Sequence, residues 1–326
     1  MGGVVNGVSY NLKNLQLLDL SGCSKLGTAS GNNGLDVTYC DNLKILKIEG
    51  TALQNVMFNP KGGNLEEIYM SNSISTLHLA NQYSLRKVIF PWYKDARMTH
   101  RMVYENGSNV SNISITNCVN LVQLGIESSI LDYSSLLNYR EVDIDSQDDF
   151  EITKADYELA YTMSVFGKLE NISIDNALLN YKYCSFTCSP SLKSVTFNSM
   201  PKLKGLILTG NRTYTQNTAE SYTEYNFEKT SQFDKLSVIG CPEFDTLIIQ
   251  KPTRWFGLNH AYKFKDNFTW DLSKVPLKKF ICNIALQNLN KLILPDSIEE
   301  FSHSNTVLSK SGNNVHVQQS FLKVNL

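Results

Sequence analysis

A short apolar phrase recurs along most of the chain and constrains its fold more than any other feature. In Leu15-Gln16-Leu17-Leu18-Asp19-Leu20-Ser21-Gly22-Cys23-Ser24-Lys25-Leu26, apolar residues stand at offsets 0, 3, 5 and 11, with a small residue at offset 8. The first three offsets return at Leu43/Leu46/Ile48, Leu53/Val56/Phe58, Leu65/Ile68/Met70, Ile74/Leu77/Leu79 and Leu85/Val88/Phe90. They return again at Val110/Ile113/Ile115, Leu121/Leu124/Ile126, Leu169/Ile172/Ile174, Leu192/Val195/Phe197 and Leu203/Leu206/Leu208. Later copies are Phe233/Leu236/Val238, Phe244/Leu247/Ile249 and Leu289/Leu292/Leu294. Such self-similarity marks a stacked-repeat protein. Within each copy, apolar-x-apolar reads as a short β-strand with both side chains on one face.

Early strand midpoints fall about 10 to 12 residues apart, which predicts two short strands per coil and a full turn of about 20 to 23 residues. The expected fold is a flattened, right-handed repeat solenoid, mainly β, with strands on two sides of each coil, long inserted loops and a few short helices. A chain of 326 residues is long for one compact core. A solenoid has no such ceiling, because each coil contacts only its neighbours. No linker or low-complexity tract divides the sequence, so residues 1–326 read as a single domain.

The phrase resembles the leucine-rich repeat. Leu15-x-x-Leu18-x-Leu20-x-x-Cys23 and Val110-x-x-Ile113-x-Ile115-x-x-Cys118 match that family's strand-and-turn consensus, including its Cys or Asn slot. The tight spacing and the Cys-Ser-Lys-Leu and Cys-Asp-Asn-Leu steps look most like the irregular bacterial surface type, the BspA-like repeats. The sequence departs from that type in places. Its Pro-terminated strand ending stands only at Phe90-Pro91 and Leu294-Pro295, and the Ala-Phe pair is absent. The resemblance implies a leucine-rich-repeat-like scaffold and a role in adhesion or recognition.

Cys23, Cys40, Cys118 and Cys241 share one repeat slot with Thr51, Ser73, Ser129, Asn211 and Ser297. A slot shared by these types calls for a small inward side chain that bonds the backbone as it leaves the strand, and free Cys serves there as a small hydrophobe. Seven cysteines also leave one without an intrachain partner in any full pairing. The regular step is lengthened at residues 91–109, 127–141, 145–168, 175–191, 210–232 and 250–276. Residues 153–166 have helical spacing, with Thr153 as N-cap and Gly167 as stop, and Leu131–Leu137 reads as a shorter helical turn. Val315-His316-Val317 and residues 321–326 alternate like strands. No polar cap is recognisable at either end, which predicts a larger chain, a neighbouring subunit in a homo-oligomer, or a degenerate capping coil.

Thirty basic and thirty-one acidic residues leave a net charge of -1, which argues against nucleic acid as partner. No apolar run approaches the length of a membrane-spanning helix, and the first residues do not read as a signal peptide. The five histidines lack metal-ligand spacing, and Cys184 with Cys188 lacks a second ligand pair. His78, between Leu77 and Leu79, reads as solvent-facing. The acidic run Asp143, Asp145, Asp148, Asp149 and Glu151 has oxygen ligands for Ca²⁺ but no glycine at the tight-turn position of an EF-hand. An alternative role for it is to favour the following helix's dipole. Nucleophile-elbow, Walker, dinucleotide and His-Glu-x-x-His motifs are absent, so no catalytic residue, metal or cofactor is expected.

The strongest binding signal is aromatic. Inserted loops carry Trp92 and Tyr93, then Tyr214, Tyr222 and Tyr225, then Trp255, Phe256, Tyr262 and Trp270. Loops on a rigid scaffold commonly carry recognition, and Trp and Tyr dominate contact energy; the same rings can instead fill small cores under long loops. The function expected is a non-enzymatic recognition or assembly module. It would bind a protein or a cell-surface glycan, as a phage tail or fibre component or as a bacterial surface adhesin. The virion or the bacterial cell surface is the favoured location. The alternative is an enzyme acting on polysaccharide along the solenoid face.

Overall fold

The structure is a computed structural model and describes residues 2–5, 8–28, 33–91, 108–125, 160–162, 168–187, 191–209, 214–218, 221–225, 231–250, 261–282, 285–303, 308–311, 314–317 and 322–325. Within these residues the chain is mainly β, built from parallel sheets of short strands, with no helix. That is compatible with a solenoid-like repeat fold.

Successive strands alternate between sheets. Leu17–Asp19, Ile45–Lys47, Glu67–Tyr69, Lys87–Ile89 and Gln123–Gly125 pair in that order into one parallel sheet. Between them in sequence come Gly34–Asp36 and Asn55–Met57, which pair with each other. Next come Thr76–Ala80, Asn112–Thr116, Asn171–Asp175, Ser194–Asn198 and Lys235–Ile239, a second parallel sheet. A third holds Ala160–Thr162, Tyr183–Thr187, Gly205–Thr209, Thr246–Gln250, Lys279–Cys282 and Glu300–His303. Parallel strands cannot be joined by a tight hairpin, and here each connection passes through a strand of the neighbouring sheet.

The alternation in sequence becomes alternation in burial. Asn112–Thr116, Asn171–Asp175 and Ser194–Asn198 each bury their second and fourth residues and leave the other three partly exposed. The buried set forms one contiguous cluster running from Leu35 to Leu294. Leu46, Ile48, Ile68, Leu79 and Leu206 are wholly inaccessible. At the edge strand Leu17–Asp19 the equivalent Leu15, Leu18 and Leu20 are only partly buried.

Several strands were not among the phrase copies read from sequence. Tyr181/Cys184/Phe186, Leu277/Phe280/Cys282 and Ile298/Phe301/His303 have the same 0, 3, 5 offsets, with Tyr, Cys or His where an aliphatic residue was sought. Cys184 and Cys282 are fully buried and act there as small hydrophobes. The stretches 175–191 and 250–276 are therefore not simple insertions, since they contain the strands Tyr183–Thr187 and Ala261–Asp271. Residues 210–232 contain an antiparallel hairpin of Tyr214–Thr218 with Ser221–Tyr225.

The helix read over 153–166 is corrected at Ala160–Thr162, a strand paired in parallel with Tyr183–Thr187. A waiting ladder partner outweighs local helical spacing, and Tyr and Thr suit a pleated surface. The rest of that segment, the turn at Leu131–Leu137, Cys188 and the acidic run at 143–151 lie outside the described residues. The alternation near the C-terminus does form strands, Asn314–Val317 and Leu322–Asn325, paired antiparallel.

Candidate functional site

Leaving the Thr76–Ile239 sheet, the chain turns sharply at an equivalent residue in all five strands. Asn81, Asn117, Asn176 and Ser199 have φ of 58°, 54°, 51° and 54°, and Gly240 has 62°. Asn tolerates this left-handed conformation better than most residues. Its side chain is also used here. Asn117 Nδ2 donates to Asn81 Oδ1 at 3.0 Å, and Asn176 Nδ2 donates to Asn117 Oδ1 at 3.0 Å. Asn81 Nδ2 closes the ladder on the Pro60 carbonyl at 2.7 Å.

The small-residue slot is inward in only some copies: Cys40, Thr51, Cys118 and Cys241 are buried, Cys23 and Ser297 are exposed, and Ser129 and Asn211 lie outside the described residues. Cys118 Sγ and Cys241 Sγ each donate to a carbonyl two residues back, those of Thr116 and Ile239. Thr51 Oγ1 and Ser297 Oγ also donate to backbone carbonyls, those of Ile48 and Leu277. Burial pushes the Cys118 thiol up to about 11, and pushes Cys184 and Cys241 upward too. These thiols stay protonated at neutral pH and are poor nucleophiles or metal ligands. None of the described cysteines is in a disulfide. No group of three or more His, Cys, Asp or Glu among the described residues is placed to hold a metal.

Beside the ladder, the outer residues of the sheet stand in register. The outward residues of the five strands form three rows, about 4.8 Å from strand to strand. The first is Thr76, Asn112, Asn171, Ser194 and Lys235. The middle row is His78, Ser114, Ser173, Thr196 and Ser237. The third is Ala80, Thr116, Asp175, Asn198 and Ile239. Asp175 and Lys235 carry the formal charges of this surface, and His78 is titratable. None of its fifteen positions is buried.

The first row is fixed by its own hydrogen bonds. Asn112 Nδ2 donates to Ser111 Oγ at 2.9 Å, Asn171 Nδ2 to Asn112 Oδ1 at 2.8 Å, and Ser194 Oγ to Asn171 Oδ1 at 2.7 Å. The hydroxyls of the middle row make no such bond to the described residues, which leaves their donors and acceptors facing solvent.

At the Thr76–Ala80 end the surface runs into a groove. Asn55–Met57 lies beside Thr76–Ala80 but does not pair along it. The two are joined where Ser75 N donates to the Gln54 carbonyl, and again where Asn81 and Gln82 side chains reach the carbonyls of Pro60 and Asn59. Between those ties they part around a pocket of about 200 Å³, lined by Val56, Met57, Phe58, Pro60 and Ala80 together with the polar Asn59 and His78. Met57 is 51% exposed.

The Ala160–His303 sheet presents a different outer side. Ile207, Ile248 and Ile281 are in register on neighbouring strands at outward positions, and Tyr183, opposite Gly205, lies one outward position away. They form a second apolar cluster, separate from the main core, and each is at most 8% exposed. This side is covered at those four positions, while the outward Lys279 and Glu300 remain partly exposed and form an ion pair at 3.4 Å.

The aromatic residues singled out from sequence do not come together as a described site. Trp92, Tyr93, Trp255 and Phe256 lie outside the described residues. Tyr214 pairs with Tyr225, and Tyr222 with Asn217, across the hairpin; Tyr262 pairs with Leu286 between parallel strands. Trp270 is wholly buried, with its ring 5.7 Å from Phe233, 5.3 Å from Phe264 and 6.4 Å from Phe280. It is a core residue, corrected from a contact residue, because an 11-residue strand replaces the loop expected around it. Sequence reading missed the hydroxyl and amide face, although the outward Ser, Thr and Asn of successive copies signalled it.

No protein-family model, curated protein or solved structure matches the chain.

Proposed function

We propose that this chain is a non-enzymatic recognition module on a leucine-rich-repeat-like solenoid, of the kind used by phage tail fibres or bacterial surface adhesins, and that its contact surface is the outer side of the Thr76–Ile239 sheet. One observation carries this reading. Of the two outer surfaces compared above, this one is open, polar and accompanied by Asn ladders, whereas the other buries an apolar cluster at its centre. A rigid face loses little conformational freedom on binding, which favours affinity from modest contacts.

Two features favour binding over turnover. Hydrolysis of a glycosidic bond usually requires a pair of carboxylates across the bond, and Asp175 is the lone carboxylate among the outward positions of these five strands. The buried thiols are also poorly suited to nucleophilic work, as argued above. Single-domain organisation over residues 1–326 and a place in a larger assembly belong to the same reading.

The test uses labelled protein on intact bacterial cells and purified envelope. Saturable binding, lost in the double variant Ser173→Arg/Thr196→Arg with an unchanged melting temperature, supports the reading. Binding unaffected by that variant would move the contact surface elsewhere. Release of reducing ends that stops in Asp175→Asn would replace the module with an enzyme.

A further inference from the structure

Resting on the recognition reading just given, we infer that the ligand is a neutral oligosaccharide bearing N-acetyl groups, lying across the strands of the Thr76–Ile239 sheet with an acetyl methyl in the groove beside His78. The argument runs from the chemistry of the surface. A nucleic acid would need a row of cations against its phosphates, and this face offers Lys235 with Asp175 in the neighbouring row but one. Protein interfaces concentrate aromatic residues, Met and Arg at their centres and are depleted in Ser. The middle row is Ser114, Ser173, Thr196 and Ser237 beyond His78.

A neutral sugar chain fits on both counts. Its hydroxyls donate and accept, as do Ser and Thr hydroxyls and Asn amides. A pyranose ring spans about one strand-to-strand step, so a chain running across the strands meets the same polar rows repeatedly. Short side chains cost little entropy when a ligand orders them. The absence of charge along most of the surface complements a ligand without charge.

The groove supplies the independent half of the assignment. A purely hydroxylic ligand has no use for a pocket of about 200 Å³ walled by Met57, Phe58, Pro60 and Ala80. An N-acetyl group does, since its methyl is apolar while its amide hydrogen-bonds. The groove opens between Asn55–Met57 and Thr76–Ala80, at the end of the hydroxyl rows, so one ligand can engage both.

The experiment is calorimetric titration of the full chain with chitohexaose and with cellohexaose, which has the same backbone linkage but no acetyl groups. Chitohexaose is expected to bind at least tenfold more tightly. Ala80→Trp, which fills the groove, should reduce chitohexaose to the affinity of cellohexaose, and Ser173→Arg/Thr196→Arg should abolish binding of both. Melting temperature and circular dichroism establish that each variant is folded; should Ala80→Trp misfold, Met57→Glu tests the same groove. Equal affinity for the two sugars, or a preference unmoved by either groove variant, overturns the acetyl assignment. No binding of either sugar overturns the glycan assignment. Cell-surface binding that persists and is still abolished by Ser173→Arg/Thr196→Arg would then leave the recognition reading standing alone.

Discussion

The outer sides of the Thr76–Ile239 and Ala160–His303 sheets make an informative comparison. Both belong to parallel sheets of short strands, and both back onto the same apolar cluster. On one, the central outward row is His78, Ser114, Ser173, Thr196 and Ser237, and none of these is buried. On the other, Ile207, Ile248 and Ile281 occupy outward positions and are buried with Tyr183. The inward pattern alone sets the backbone, so outer residues are free to diverge. One side has become a surface and the other a second, smaller core.

Charge substitution should separate the two sides most sharply. Ile248→Asp places an unpaired carboxylate in the sealed cluster and should cost on the order of 3 kcal/mol or more. Ser173→Asp on the open side should stay within about 0.5 kcal/mol. Urea denaturation of the two variants measures the contrast, and similar losses would erase the distinction between the sides.

Gly62→Ala probes what holds the groove strands together. Gly62 has φ of 93°, and an added Cβ would sit 2.2 Å from the Asn81 carbonyl oxygen. Backbone cannot retreat as a flexible side chain can, so a loss of about 2 kcal/mol is expected. A melting temperature equal to that of the unaltered chain would show that this contact relaxes freely.

A smaller effect is expected at the ladder turn. Asn117→Ala removes both inter-strand side-chain bonds and leaves a Cβ-bearing residue at φ 54°, costing about 1 to 2 kcal/mol. Asn117→Gly loses the same bonds but relieves the backbone, so it should be the milder of the two. The reverse order would mean that hydrogen bonding contributes little there.

The smallest effect is a dependence on acid. Hydrogen bonds from Ser21, Thr38 and Ser273 hold the carboxyls of Asp19, Asp36 and Asp271 below the ordinary value of 3.8. A carboxyl with a depressed folded-state pKa contributes stability above its unfolded value and loses it as pH falls through the folded value. Stability should therefore be flat from neutral pH to about 5 and decline below about 4. Asp36→Asn should lessen that decline, and an unchanged acid limb would remove Asp36 from the account.

Much of the architecture was legible in the chain itself. Leu77/Leu79, Ile113/Ile115 and Ile172/Ile174 read as paired inward residues, and they are buried neighbours in register. The reading failed where slots were filled by Tyr181, Cys184 or Cys282, because a search for aliphatic residues passes over tyrosine and cysteine, whose largely apolar side chains fill the same inward slots. It failed differently at Trp270. A tryptophan is equally at home on a contact surface and in a core, and sequence spacing does not tell which.

What the sequence determined by itself is the short-range rule, two inward side chains per strand at a recurring step, since that follows from strand geometry and from the need to hide apolar surface. The tertiary structure decided which outward residues meet water. Ser173 and Ile248 occupy comparable outward positions two residues or fewer from buried neighbours, and their different fates depend on what lies across from each. Exposure is a property of the assembled surface, so no local pattern encodes it.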